Sequence, residues 1–232
     1  MAGVLEAKAI RSYLDELSKT RQDYQSGGLR DPKTILCSDL TDGERFGLLA
    51  VLREAERRAE AEGRRARYLE IGVLAGGTIH FLKQNAQKTE FTGVDLFEDW
   101  QPEETNTHMS GSFRAADVQA ALGDDVRLIK GAWESVAASL AEERFDVVFI
   151  DANHAYAAVR QDFELVRPLL HPGASVGFHN CSFDREPDIL YVDDDGGPWK
   201  FTQELRRDSG CWMELERDRL RVFRVDETGT DR

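Results

Sequence analysis

Residues Phe145–Asp151 read FDVVFID, an almost unbroken run of bulky apolar side chains closed by an aspartate. A strand with one face in water alternates apolar and polar residues. A strand covered on both faces does not, and such strands belong to parallel sheets flanked by helices. The rest of the chain has to supply those helices, and it does. Short strand patterns at Arg67–Gly72, Glu90–Asp95, Asp125–Lys130 and Ala174–His179 alternate with helical patterns at Gly77–Gln87, Ala115–Leu122, Glu134–Glu142 and His154–Arg167. The last of these carries Tyr156, Val159, Phe163 and Val166 on one stripe. Pro168 ends or kinks it, and Pro172-Gly173 reads as a turn into the next strand. After a helix at Trp199–Arg207, Cys211–Glu216 and Leu220–Val225 read as a closing antiparallel hairpin. The expectation is an α/β fold: a doubly wound, mostly parallel seven-stranded sheet with a C-terminal hairpin.

Ahead of the sheet, Thr41 or Asp42 opens a helix that runs to about Glu62, with Glu44 in its first turn. Residues 4–19 have the pattern of an amphipathic helix, and 21–36 that of a loop. This divides the chain into an N-terminal helix and loop over 1–40, a substrate lid or oligomer contact, and a ligand-binding domain over 41–232. The 232 residues suffice for one such domain. No apolar run approaches the roughly 20 residues that span a membrane. A charged N-terminus does not read as a signal peptide. Cys37, Cys181 and Cys211 are few, odd in number and far apart, which suits reduced thiols in a cytoplasm. A net charge of −13 disfavours a nucleic-acid partner.

Ligands of doubly wound sheets bind past the C-terminal ends of the strands. There the first strand turns through Glu70-Ile71-Gly72-Val73-Leu74-Ala75-Gly76-Gly77-Thr78. Glycines at a strand-to-helix turn let backbone approach a ligand, and a helix N-terminus attracts its anionic end. Asp95, closing the second strand, can accept hydrogens from a ribose diol. The pattern therefore points to a nucleoside with an anionic tail. A dinucleotide site has G-x-G-x-x-G, and Leu74 stands in the slot of the glycine that clears space for a pyrophosphate. A nicotinamide oxidoreductase is thereby disfavoured. Glu70 instead suits the ammonium of an amino-acid tail.

Glu70-x-Gly72-x-x-x-Gly76-x-Thr78 resembles the first motif of class I S-adenosylmethionine (SAM) dependent methyltransferases, and within them the catechol and the macrocin or macrolide-sugar O-methyltransferases. The resemblance spans about residues 40–225. It implies that Glu70 and Gly72 line the methionine part of SAM, that Thr78 and nearby N–H groups hold its carboxylate, that Asp95 holds the ribose, and that Ala132 and Trp133 contact adenine. Asp151 organises both cofactor and metal in those families. Their further metal ligands form an adjacent pair 28 positions on, here His179-Asn180. Three residues after the aspartate they carry a base, here His154. The expected activity is methylation of a small-molecule hydroxyl, the sugar of a natural product being the implied acceptor. His154 acts as general base and Asp151 with it. A divalent ion at Asp151, His179 and Asn180, whether Mg²⁺, Mn²⁺ or Fe²⁺, would assist; the imidazole favours Mn²⁺ or Fe²⁺ over Mg²⁺, and a site that holds no ion is the alternative. N-methylation of an amino sugar or another cationic molecule is the chemical alternative. Acceptor contacts are expected from the loops at 21–36, 97–113 and 181–197. A homo-oligomer is left open.

Overall fold

The computed structural model describes residues 35–99, 113–182 and 196–225. The expected helix at 4–19, most of the loop after it, and most of the loops at 97–113 and 181–197 lie outside them. The described chain runs α1 (Asp42–Ala61), β1 (Ala66–Ile71), α2 (Gly77–Asn85), β2 (Thr89–Asp95), α3 (Ala115–Leu122), β3 (Val126–Lys130), α4 (Trp133–Val136), β4 (Phe145–Ile150), α5 (Tyr156–Val166), β5 (Leu170–Phe178), α6 (Gly197–Leu205), β6 (Cys211–Arg217) and β7 (Leu220–Val225). The seven strands form one sheet in the order β3-β2-β1-β4-β5-β7-β6. All neighbours are parallel except β7 against β5 and β6. This is the doubly wound sheet with a closing hairpin that the alternation predicts.

The β4 run behaves as its composition requires. Val147 and Phe149 enter one core with α1, α2 and α3, whereas Val148 and Ile150 enter the other with α4, α5 and α6. All six of its residues are buried. Thr41 caps α1 in a full capping box with Glu44. Two local expectations need correction. The segment expected as one helix over Glu134–Glu142 is a four-residue α4 followed by a 3-10 turn at Ala137–Leu140. Pro172-Gly173 is not a turn before β5. It lies within β5, where pairing with β4 jumps from Phe145–Leu170 to Val147–Ser175. Proline has no N–H for the ladder, so a bulge absorbs it, with Gly173 at φ +71°.

What positions a site is the order at the sheet's C-terminal edge. β1 and β4 are neighbours, and the chain leaves them in opposite directions, so their loops part. Ladder bonds continue one residue beyond the strands: Gly72 N–H to Val94 at 2.9 Å, Asp151 N–H to Ile71 at 2.8 Å, His179 N–H to Ile150 at 3.2 Å and Gly131 N–H to Asp95 at 2.9 Å. Gly72, Asp151, His179 and Gly131 are thereby held in register along one edge. Among the described residues no helix is long and apolar enough to cross a membrane.

Candidate active site

A cleft of about 670 Å³ opens over this edge, within the usual size of a small-ligand pocket. Its floor is the β1–α2 turn. Gly72 has φ +91°, and a Cβ there would sit 2.2 Å from the Asp151 carbonyl oxygen, so only glycine lets the β1 and β4 ends meet. Gly76, at φ +80°, caps α2. Leu74 is also left-handed, at φ +52°, in the slot where a dinucleotide site has glycine. The conformation suits glycine, yet a side chain is present and packs on the core. Phe97 and Asn180, which also line the cleft, share the left-handed region at φ +51° and +56°. Strain of this kind concentrates where geometry serves a ligand.

Asp95 splints the turn. One carboxyl oxygen accepts the N–H groups of Val73 and Leu74 at 2.7 and 2.8 Å, and the other accepts Phe97 N–H at 2.7 Å. Burial pushes its pKa up against these bonds. Asp95 therefore shapes the cofactor loop as well as facing the cleft. Glu70 is almost wholly buried and accepts the Tyr68 hydroxyl at 2.6 Å. Burial, with Asp151 and Asp95 nearby, holds its pKa well above the carboxylate range. A carboxyl group in that position gains most from a ligand cation.

Residues 37–40 complete the wall, although the sequence groups them with the N-terminal unit. Leu36 N–H bonds to Ala75, and Gly77 N–H to Cys37, at 2.9 and 3.2 Å. The Gly77 N–H is thus spent inside the protein. Thr78 exchanges a 2.9 Å hydrogen bond with Ser38, a contact between residues 40 positions apart that no motif signals. Ala132 and Trp133 line the side beyond Asp95.

At the β4 and β5 ends the structure brings together Asp151, His154, His179 and Asn180, and adds two residues that sequence reasoning missed. His179 is buried, with Nδ1 3.1 Å from Asp151 Oδ1 and Nε2 3.3 Å from Glu44 Oε2. Glu44 is the capping-box residue of α1, so its sequence signal was structural. Its carboxylate also accepts the Arg219 N–H at 2.8 Å. Burial disfavours charge on His179, but Asp151 and Glu44 outweigh it and hold the pKa at about 9. Burial likewise works against Glu44, yet His179 and Arg219 bring it down to about 2. Asp151 is held well below its usual range, burial being offset by His179 and His154. His154 Nε2 stands 3.7 Å from Asp151 Oδ1, an ion-pair distance too long for a hydrogen bond. The Asn180 amide nitrogen lies 3.1 Å from the same Nε2, and the Asn180 oxygen accepts from Arg219 at 3.3 Å.

This donor set does not fit a divalent ion. A ligating imidazole needs a bare nitrogen, and both His179 nitrogens face carboxylates as donors. The Asn180 oxygen is turned to Arg219. Among the described residues no group of three or more His, Cys, Asp or Glu side chains could hold a metal. Asp151 and His179 come together as the resemblance implied, but as a salt-bridged chain with Glu44, while Asn180 pairs with His154 and Arg219.

The comparisons with known proteins agree with the fold. Residues 69–181 match a family model described as a methyltransferase domain. The fold is similar to that of the O-methyltransferase TomG from Streptomyces achromogenes, in complex with SAM, with a TM-score of 0.55, 18% identity, and 93% of this chain and 90% of that one covered. An O-methyltransferase from Bacillus cereus in complex with SAH gives 0.55, 17%, and 91% of each chain. The MycE methyltransferase of the mycinamycin biosynthetic pathway, with Mg and SAH, gives 0.53, 15%, and 77% of this chain against 50% of that one. No curated protein matches the sequence.

Proposed function

We propose that this chain, whose residues 69–181 match a methyltransferase domain and whose sheet has the matching strand order, transfers the methyl group of SAM to a hydroxyl of a small molecule, with His154 as the general base. The observation that carries this reading is the junction of two chemistries in one cleft: a buried, cation-seeking Glu70 at the β1 end, and His154 beside Asp151 at the adjacent β4 end. In this reading Glu70 binds the ammonium of SAM, and Gly72, Gly76 and Thr78 shape the seat of its amino-acid tail. Asp95 faces the ribose, while Ala132 and Trp133 lie along the base.

The transfer is an in-line displacement. The acceptor oxygen bonds to the methyl carbon as the carbon–sulfur bond breaks, and the sulfonium leaves as the neutral thioether of S-adenosylhomocysteine (SAH). The hydroxyl proton must go elsewhere, and His154 takes it. Orientation by the two strand ends supplies much of the acceleration. Asp151 then steadies the imidazolium that forms. No step is assigned to a metal, since the donors are committed within the protein. The two O-methyltransferases among the similar structures support oxygen as the acceptor atom. TomG serves tomaymycin synthesis and MycE mycinamycin biosynthesis, which supports a natural product, with a sugar hydroxyl as one candidate acceptor.

N-methylation of a cationic acceptor is kept as a second reading because the acidic Asp39 also lines the cleft. Calorimetry with SAH, followed by mass-spectrometric identification of products from a panel of hydroxylated and amino-bearing small molecules, tests both readings. Absence of SAH binding sinks the donor assignment. Products methylated only on nitrogen sink the hydroxyl.

A further inference from the structure

The wall of the cleft beyond Asp95 forms where α4 meets α5. Ala132, Trp133 and Glu134 come from the start of α4, and Ala158 and Asp162 from one face of α5. The Trp133 indole N–H latches the two by donating to the main-chain carbonyl of Asp162 at 3.4 Å. The Asp162 side chain faces a different problem. The residue is only 5% exposed, it lines the cleft, and no hydrogen bond reaches its carboxyl group among the described residues. Nearly all buried polar groups are paired, and a buried carboxyl without a donor is costly. Burial, with Glu134 adding like charge, accordingly holds its pKa at about 7. It is an acceptor waiting for a donor that the described residues do not supply.

The position restricts what that donor is. Glu70 and Thr78 take the amino-acid end of the methyl donor and Asp95 its ribose, so the nucleobase is what remains for the wall that follows β3. We propose that Asp162 is the residue that reads the 6-amino group of the adenine, its carboxyl oxygen accepting an N–H of that amine. This rests on the assignment of SAM to the cleft. In its protonated form the same carboxyl group can also donate to the ring nitrogen beside the amine. Asp162 is thus a positioning and specificity residue, remote from the reacting carbon. It would let the cleft choose an adenine nucleoside over one lacking the amine.

The test is calorimetry of two ligands, SAH and its analogue with the 6-amino group replaced by hydrogen, on the wild type, Asp162→Asn and Asp162→Leu. The wild type is expected to bind the analogue about tenfold more weakly than SAH, the effect of one hydrogen bond to a buried acid. Asp162→Leu should bind both ligands weakly and alike. Asp162→Asn, whose amide carbonyl still accepts, should keep part of the preference. The ratio is taken within each protein, so a partly misfolded variant does not distort it. Equal binding of both ligands by the wild type overturns the proposal, as does a Leu variant that keeps the full preference. A wild type that binds SAH without preference refutes only the role of Asp162. One that binds no SAH refutes the donor assignment itself.

Discussion

His154 and His179 lie close together, yet their surroundings assign them different work. His179 is locked between two carboxylates and has no nitrogen left for a substrate, whereas His154 lines the cleft next to Asp151. His154→Ala is expected to lower turnover by about 10²- to 10⁴-fold while SAH affinity stays within about twofold, measured by single-turnover assay and calorimetry. Full turnover with SAH bound would remove His154 as the base. His179 makes a stability prediction whose sign follows from its shift. Its folded pKa of about 9 exceeds the reference value of 6.5, so its contribution is complete below 6.5 and disappears as pH rises through 9. The advantage of the wild type over His179→Gln in thermal unfolding, at most about 3 kcal/mol, should therefore shrink between those pH values. An advantage that holds at pH 10 would contradict a charged His179. The same geometry predicts that EDTA leaves methyl transfer unchanged and that Mn²⁺ gives no calorimetric signal. That Asp151, His154, His179 and Asn180 meet was legible in the sequence, because all follow strand ends of one parallel sheet. Glu44 and Ser38 were not, since their partners lie 135 and 40 positions away and tertiary packing alone joins them.

At the scale of elements, the strands were more legible than the helix boundaries. β4 had no alternative to burial, and its two faces divide between the two cores. α4 was overread because an apolar pattern does not register that the chain is needed for a tighter 3-10 turn at Ala137–Leu140. The bulge at Pro172-Gly173 was misread because both residues also favour turns. One contact between elements bears on activity. Gly197, the first residue of α6, donates to the His154 carbonyl at 3.1 Å, and a Cβ on it would lie 2.3 Å from the Tyr156 nitrogen. Gly197→Ala must push α6 away from the segment that carries His154. The expected outcome is a fall in turnover of about 10²-fold, the effect of a displacement near 1 Å, with SAH affinity little changed because the β1–α2 turn is untouched. If calorimetry showed SAH binding lost along with activity, α6 would be supporting the whole cleft and not the base alone.

For the molecule as a whole, the cleft joins the β1, β2, β3, β4 and β5 ends, so a bound nucleoside spans most of the sheet's edge. SAH at about 100 times its dissociation constant should add about 2.7 kcal/mol to stability. That corresponds to a rise in Tm of about 5–10 °C for a domain of this size, readable by differential scanning fluorimetry. A rise under 1 °C would mean that the ligand binds elsewhere or hardly at all. The same breadth explains why fold class was open to sequence reading while the acceptor was not: strand order follows from periodicity, but the loops that would touch an acceptor carry no periodic signal. Glu44 gives this integration a sharper consequence. One carboxylate closes the first turn of α1, receives the β7 side through Arg219, and holds His179 against Asp151. A molecule whose α1 has begun to fray loses the countercharge of its own reaction centre in the same event. Such an enzyme carries a built-in check on its own assembly, because a chain that is only partly folded cannot complete its chemistry.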